Sequence, residues 1–228
     1  MAAWLAKYYE TIIASGYYTL LLDGLKNTIV ITLGALVIGV VIGMLITVIK
    51  YYAEEITWMK PLAWLCDRYV TIIRGIPVVV LLLVFYYIFM TSSEGIPVAV
   101  VAFGINSGAY MAELIRSGIG AVDVGQMEAG RSLGMSRGQA LRVVIIPQAI
   151  RYILPAIGNE FIALLKETAV AGYVAVADLT RAANLIRNNT YDAVNPLLTI
   201  SVVYVVLVVI LTRLLGMLER RLGKSDKR

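Results

Sequence analysis

Residues 128–147 read EAGRSLGMSRGQALRVVIIP, a polar, glycine-bearing stretch set between strongly apolar segments. Inside hydrocarbon the backbone N–H and C=O groups of such a stretch would go unpaired, so it must lie outside the bilayer as an aqueous loop. Gly118, Gly120 and Gly125 break any long helix before it, and Gly130 and Gly134 keep the next piece short. Between them stand small and apolar side chains: Ala121, Val122, Ala129, Leu133 and Met135. A short amphipathic helix of this kind seats an apolar knob in a groove on a partner, while Pro147, tolerated in a first turn, restarts a helix toward the membrane. On pattern alone, a helix lying flat on lipid fits equally.

Composition agrees with a membrane protein. Hydrophobic residues make up 60% of the 228, and the mean hydropathy is +0.81. There is no histidine, and Cys66 is the one cysteine, which excludes histidine triads, histidine metal sites and an internal disulfide. The N-terminus has no charged region followed by an apolar core and a cleavage site, so the first long span is expected to act as its own signal.

Uncharged runs locate the spans. Asn27–Ile49 gives 23 residues, Gly75–Ser93 19, Gly95–Ala112 18 and Ala193–Thr212 20, against the ~20 that a bilayer core requires. A further apolar stretch, about 152–175, carries Glu160, Lys166 and Glu167 and is counted as a fifth span. Thr11–Leu22 is too short to cross and is expected in the interface. If the five spans alternate, 15 of the 20 Lys and Arg fall on one side, in 50–74, 116–151 and 213–228; Lys7, Lys26, Arg181 and Arg187 fall on the other. The positive-inside rule then places the N-terminus outside, the C-terminus and the 116–151 loop in the cytoplasm. Topology accounts for the net charge of +5; no basic run is interleaved with aromatics as nucleic-acid binding requires.

Glu128-Ala129-Gly130, Gly134 and Ile146-Pro147 resemble the EAA loop of bacterial ABC-importer permeases, E-A-A, three residues, Gly, nine residues, I-x-L-P. The spacing fits throughout; Gly130 stands for the last Ala, Val144 for Ile and Ile146 for Leu. Residues 108–113 (GAYMAE), the core Gly125–Gly134, Pro147-Gln148-Ala149, Leu165-Lys166-Glu167-Thr168 and Arg74-Gly75-Ile76-Pro77 are similar to the amino-acid branch of that family. Leu81 or Leu82, where the branch often has Gln, and Ala169, where it has Ser, depart from it. The resemblance implies an all-α polytopic fold of about five spans, the type I importer permease (MetI-like) fold, as one transmembrane domain over 1–228. It implies a bacterial plasma-membrane subunit without chemistry of its own. Its partners would be cytoplasmic ATPases that bind ATP and Mg, a second permease subunit (the same or a sister chain) and an extracytoplasmic amino-acid-binding protein. Gly125, Glu128, Ala129, Gly130, Leu133, Gly134 and Met135 would dock the ATPase.

A charge at bilayer centre costs roughly 2.5–3.5 kcal/mol on insertion scales, so it faces a cavity or a partner. Glu160 and Glu167 are seven apart and share a helical face, with Asn159 adjacent. That face could receive a ligand's ammonium, while Lys166 or Arg181 meets its carboxylate; alternatively Lys166 and Glu167 are interfacial anchors. Asn106, Ser107 and Tyr110 either line the path or bond to neighbouring helices. Glu113 is expected to pair with Arg116 at i,i+3, and Arg74 to anchor the positive-inside topology. Gly39-x-x-x-Gly43 and Gly104-x-x-x-Gly108 permit close packing without naming the surface packed. Gly223-Lys224-Ser225 spells the end of a P-loop, but Leu218 stands where its first glycine belongs, so ATP is not expected in this chain, nor any other cofactor or metal. The reading is an importer subunit for polar or charged amino acids. An ion-driven carrier would show repeats and matching broken spans, and a membrane scaffold would need no intramembrane Glu.

Overall fold

The computed structural model describes residues 6–223; Lys224, Lys227 and Arg228 of the basic tail, and the end of the Gly-Lys-Ser spelling, lie outside them. The described residues form helices and turns without a strand. After a π-turn at Tyr9–Ala14 come α1 (Tyr18–Ala53), α2 (Lys60–Gly75), α3 (Val78–Val84, continued by a π-turn to Phe89) and α4 (Gly95–Gly120). Two short loop helices follow, α5 (Val124–Ser132) and α6 (Arg137–Ala140), then α7 (Ile146–Glu167), α8 (Leu179–Thr190) and α9 (Val194–Gly223).

Among the described residues four helical stretches are long and apolar enough to cross a bilayer, and a fifth crossing exists if the bent pair α2–α3 counts as one. The first span begins at Tyr18, earlier than Asn27, because the interfacial segment expected over Thr11–Leu22 divides at Gly16. Gly16 takes φ +72°, the π-turn ends before it, and the remainder joins α1. The straight span expected over Gly75–Ser93 is instead an arm bent 108° from α2. Pro77 forces its neighbour Ile76 into extended backbone (φ −98°, ψ 128°), and α3 with its π-turn supplies seven and five residues, about 18 Å at helical rise. The third span runs past Ala112 to Gly120, Gly118 and Gly120 being carried in its last turns instead of breaking it.

Pro147 stands in the first turn of α7, as expected, but no break precedes it. Helical structure runs without interruption from Arg137 to Glu167, and a π-turn over Leu141–Ile145 ends with the Ile146 N–H donating to the Leu141 carbonyl. That wider turn admits a residue that has no N–H of its own. The loop between membrane helices therefore contracts from 116–151 to residues 121–136. The stretch continues as a 3-10 turn over Thr168–Val174, closed by Ala175 at φ 62°.

The core is where α1 and α4 lie against each other. A Cβ on Gly43 would stand 2.5 Å from Met111 Cβ, one on Gly39 2.8 Å from Ser107 Oγ, and one on Gly104 2.7 Å from Ile38 Cβ. Both small-residue pairs are thus consumed inside the chain. Around this seam Ile31, Leu82, Phe103, Leu164 and Val174 form one buried cluster; Leu21, Leu179, Ile186 and Ile200 form another, binding α8 to α1 and α9. At this second end the Asn27 amide donates to the Ala177 carbonyl (2.9 Å) and the Leu179 N–H to Thr28 Oγ (3.2 Å). At the opposite end, the turn after α1 meets Arg137, the residue that follows the 121–136 loop, through Glu54.

Candidate functional site

The seam that holds α4 also presents its polar residues to α7. Ser107 Oγ donates to Glu160 Oε1 at 3.0 Å, and Asn106 Nδ2 to Glu167 Oε2 at 3.4 Å. Asn106 and Ser107 are buried, and the two glutamates are half-buried. Adjacent residues on one helix therefore bind carboxylates two turns apart on its neighbour. The donors are neutral, so they satisfy the carboxylate oxygens without cancelling the charge.

Of the cations expected to complete this cluster, neither makes an ion pair with it, and Arg181 is engaged elsewhere. The Arg181 guanidinium donates to the Gly172 carbonyl at 2.7 Å, and its backbone N–H is held at 3.3 Å by Asp178, the N-cap of α8. It braces the 3-10 turn rather than facing Glu160. Lys166 is exposed, one residue and hence about 100° around the helix from Glu167. Asn159 is likewise exposed, beside Glu160. Tyr110, one turn along α4 from Ser107, does not join the glutamates: the Arg74 guanidinium lies over its ring, 5.1 Å from the centroid.

That contact belongs to an open cavity of about 500 Å³ between α2 and α4, lined by Asp67, Thr71, Arg74, Tyr110 and Glu113 among others. Its carboxylates are engaged, Asp67 with Lys50 at 2.6 Å and Glu113 with Arg116 at 2.9 Å. Arg74, expected as a topological anchor, is thus also a wall of a polar cavity. The sequence held no sign of this, since Arg74 and Tyr110 are brought together only by the packing of α2 on α4, where Tyr69 Oη donates to the Ile105 carbonyl at 2.6 Å.

In the loop, Asp123 caps α5 by accepting the Gly125 N–H at 2.7 Å. The helix stops at Gly134, whose φ is +85°. The Gly134 N–H returns to the Arg131 carbonyl and the Met135 N–H to that of Gly130, the paired bonds of a Schellman stop. Gly130 is buried against Ala140, where a Cβ would come within 3.0 Å. Glu128 and Ala129 are exposed, and Val124 and Leu133 expose 73% and 81% of their surface. The loop is thus a rigid, self-capped helix presenting unpartnered apolar side chains; Gly130 and Gly134 shape it from within.

The arginine transport system permease protein ArtQ of Bacillus subtilis is 35% identical over 217 residues, covering 90% of this chain and 94% of its own length. The probable glutamine ABC transporter permease protein GlnM of the same organism is 36% identical over 211 residues, covering 91% and 95%. A crystal structure of an amino acid ABC transporter with histidines superposes with a TM-score of 0.85 at 42% identity, over 91% of this chain and 96% of the other. An inward-facing MetNI methionine ABC transporter shares the fold, with a TM-score of 0.77 at 24% identity, over 90% and 97%. The family model for binding-protein-dependent transport system inner membrane components matches residues 35–224, and the chain, a multi-pass membrane protein of helices joined by this capped loop, belongs to that family.

Proposed function

We propose that this chain is the translocating subunit of an ATP-driven importer for polar or charged amino acids, with the α4–α7 carboxylate pair as its ligand site. The observation that carries this reading is the unbalanced cluster: Glu160 and Glu167 share one face, held by the neutral donors Ser107 and Asn106. Half-buried, such a pair favours a cation, and an amino acid's ammonium or a basic side chain supplies one. The names of its relatives, which mention arginine, glutamine and cystine, support the same class. The chain does no covalent chemistry. The exposed Val124 and Leu133 at the two ends of α5 suit a groove on a cytoplasmic ATPase, which binds ATP and Mg; a second permease subunit encloses a cavity over the carboxylate pair and an extracytoplasmic binding protein delivers the ligand. Closure of the ATPase pair moves the loop and turns the cavity outward, and the ligand leaves inward after hydrolysis.

Glu160→Gln tests the site, since it keeps the shape and removes the charge. A charge-assisted pair is worth about 1.5–3 kcal/mol, so binding should weaken roughly ten- to a hundredfold while the complex still assembles. Unchanged uptake and affinity would make Glu160 a helix-packing residue only. Uptake that follows an imposed ion gradient at constant ATP would favour a carrier instead.

A further inference from the structure

The loop that presents Leu133 is also tied back to the far end of the first span. Arg137 opens the helical stretch that returns into the membrane. Its guanidinium is paired with the Glu54 carboxylate, lies 3.7 Å from Glu55 Oε1 and sits over the Tyr51 ring, 5.1 Å from the centroid. Glu54 and Glu55 form the turn that closes α1, their N–H groups returning to the Tyr51 and Tyr52 carbonyls.

Each partner has the wrong sign for its own helix. Two carboxylates at a C-terminus face the negative end of the dipole, and a cation in a first turn faces the positive end. Neither placement is favoured locally, and they offset one another only when the loop and α1 are held together. An exposed ion pair does little for overall stability; its consequence here is position. The capping box at Ser136 and Gln139 fixes the backbone from which Arg137 extends, so the guanidinium is carried by a rigid turn. Along α1, Gly39 packs on Ser107, the residue that donates to Glu160. From Glu54 to Gly39 is about 22 Å of unbroken helix at 1.5 Å per residue.

We propose that Arg137, with Glu54 and Glu55, is a coupling clamp that makes α1 move with the docking loop and so transmits ATPase closure to the Ser107–Glu160 contact. Arg137 is a positioning residue: it touches neither ligand nor nucleotide. The proposal rests on the loop's docking an ATPase.

The test uses the full importer, permease with its ATPase and binding protein, in proteoliposomes. Uptake of a radiolabelled mixture of protein L-amino acids is measured per ATP hydrolysed. Arg137→Gln and the double substitution Glu54→Gln/Glu55→Gln should each retain the ATPase on co-purification, yet lower this ratio by about fivefold or more, the range of ordinary coupling energies. Reversing all three charges, Arg137→Glu with Glu54→Arg and Glu55→Arg, should restore it, which a merely structural defect would not permit. If Arg137→Gln fails to assemble, the glutamate pair alone decides. An unchanged ratio, or no rescue, overturns the clamp. Leu133→Glu separates this from failure of the docking reading. If that variant keeps its ATPase, docking at this helix is wrong and the clamp falls with it; if it loses the ATPase while the clamp variants couple normally, only the clamp is wrong.

Discussion

At Asp192 one carboxylate ties two stretches of chain together. It accepts the Val194 and Asn195 N–H groups at 3.1 and 3.3 Å and the Asn195 side-chain amide at 2.7 Å, capping α9. Thr11 Oγ and Lys7 Nζ, from the N-terminal segment, approach it at 3.4 and 3.6 Å. Burial of the carboxyl opposes ionisation, but the N–H donors of Asn195 and Val194 and the Lys7 charge prevail, so its pKa lies below the usual aspartate value. A depressed pKa contributes stability that is fully present above the unfolded value, about 4, and is lost as pH falls through the folded value. The expected outcome is a thermal midpoint in detergent that is flat above that pH and drops below it. Asp192→Ala should remove this carboxyl's share of the acid dependence and lower stability at neutral pH by about 1 kcal/mol, as for a lost cap. An acid limb as steep in the variant as in the parent would place the titrating group elsewhere.

Helices were legible in this sequence where hydrophobicity alone decides them and illegible where a neighbour does. The uncharged run from Asn27 located α1, and the spacing of Glu160 and Glu167 announced their shared face. The 108° bend at Ile76–Pro77 was written in a proline whose effect was read only as a motif, and α8 went unseen because its buried face (Leu179, Ala182, Ala183, Ile186) is covered by α1 and α9. Gly39 and Gly43 were visible as a packing stripe, yet which helix they pack on is a tertiary fact. That contact makes a prediction. An added methyl at Gly43 meets Met111 backbone at 2.8 Å, which cannot swing aside as a side-chain end would. Gly43→Ala should therefore cost about 1–3 kcal/mol by overpacking, whereas Gly216→Ala, with nothing within 4 Å of the new carbon, should gain roughly 0.5–1 kcal/mol from helix propensity. Melting of both variants in detergent checks the contrast, and equal effects would mean that the seam yields. Of the expected ligand set, Asn106 and Ser107 bond to the glutamates while Arg181 and Tyr110 are engaged elsewhere, since sequence separation carries no information about which face of a fold a side chain reaches.

On the scale of the whole molecule, contacts sort the loops into two ends. The turn at 54–55 meets Arg137, and Gln148 reaches Gln126 at 3.1 Å, so the end of α1, the loop and the start of the returning helix lie together at one end. Asn27 with Ala177, and Lys7 with Asp192, mark the other. This grouping is independent of the charge count that suggested it, and it leaves one choice, which end faces the cytoplasm. Lys and Arg in short loops resist translocation, and an ATPase can reach Leu133 only from inside. A thiol probe reads the answer directly, because Ser136 and Asn188 are both exposed and lie in segments at opposite ends. Buried Cys66 is first replaced by serine so that no native thiol contributes. Ser136→Cys should then react with an impermeant maleimide only in inverted vesicles, and Asn188→Cys only in intact cells. Labelling of Ser136→Cys from outside intact cells would put the docking helix beyond any ATPase, and the transport cycle, the clamp and the assignment of the ligand's entry side would fail together.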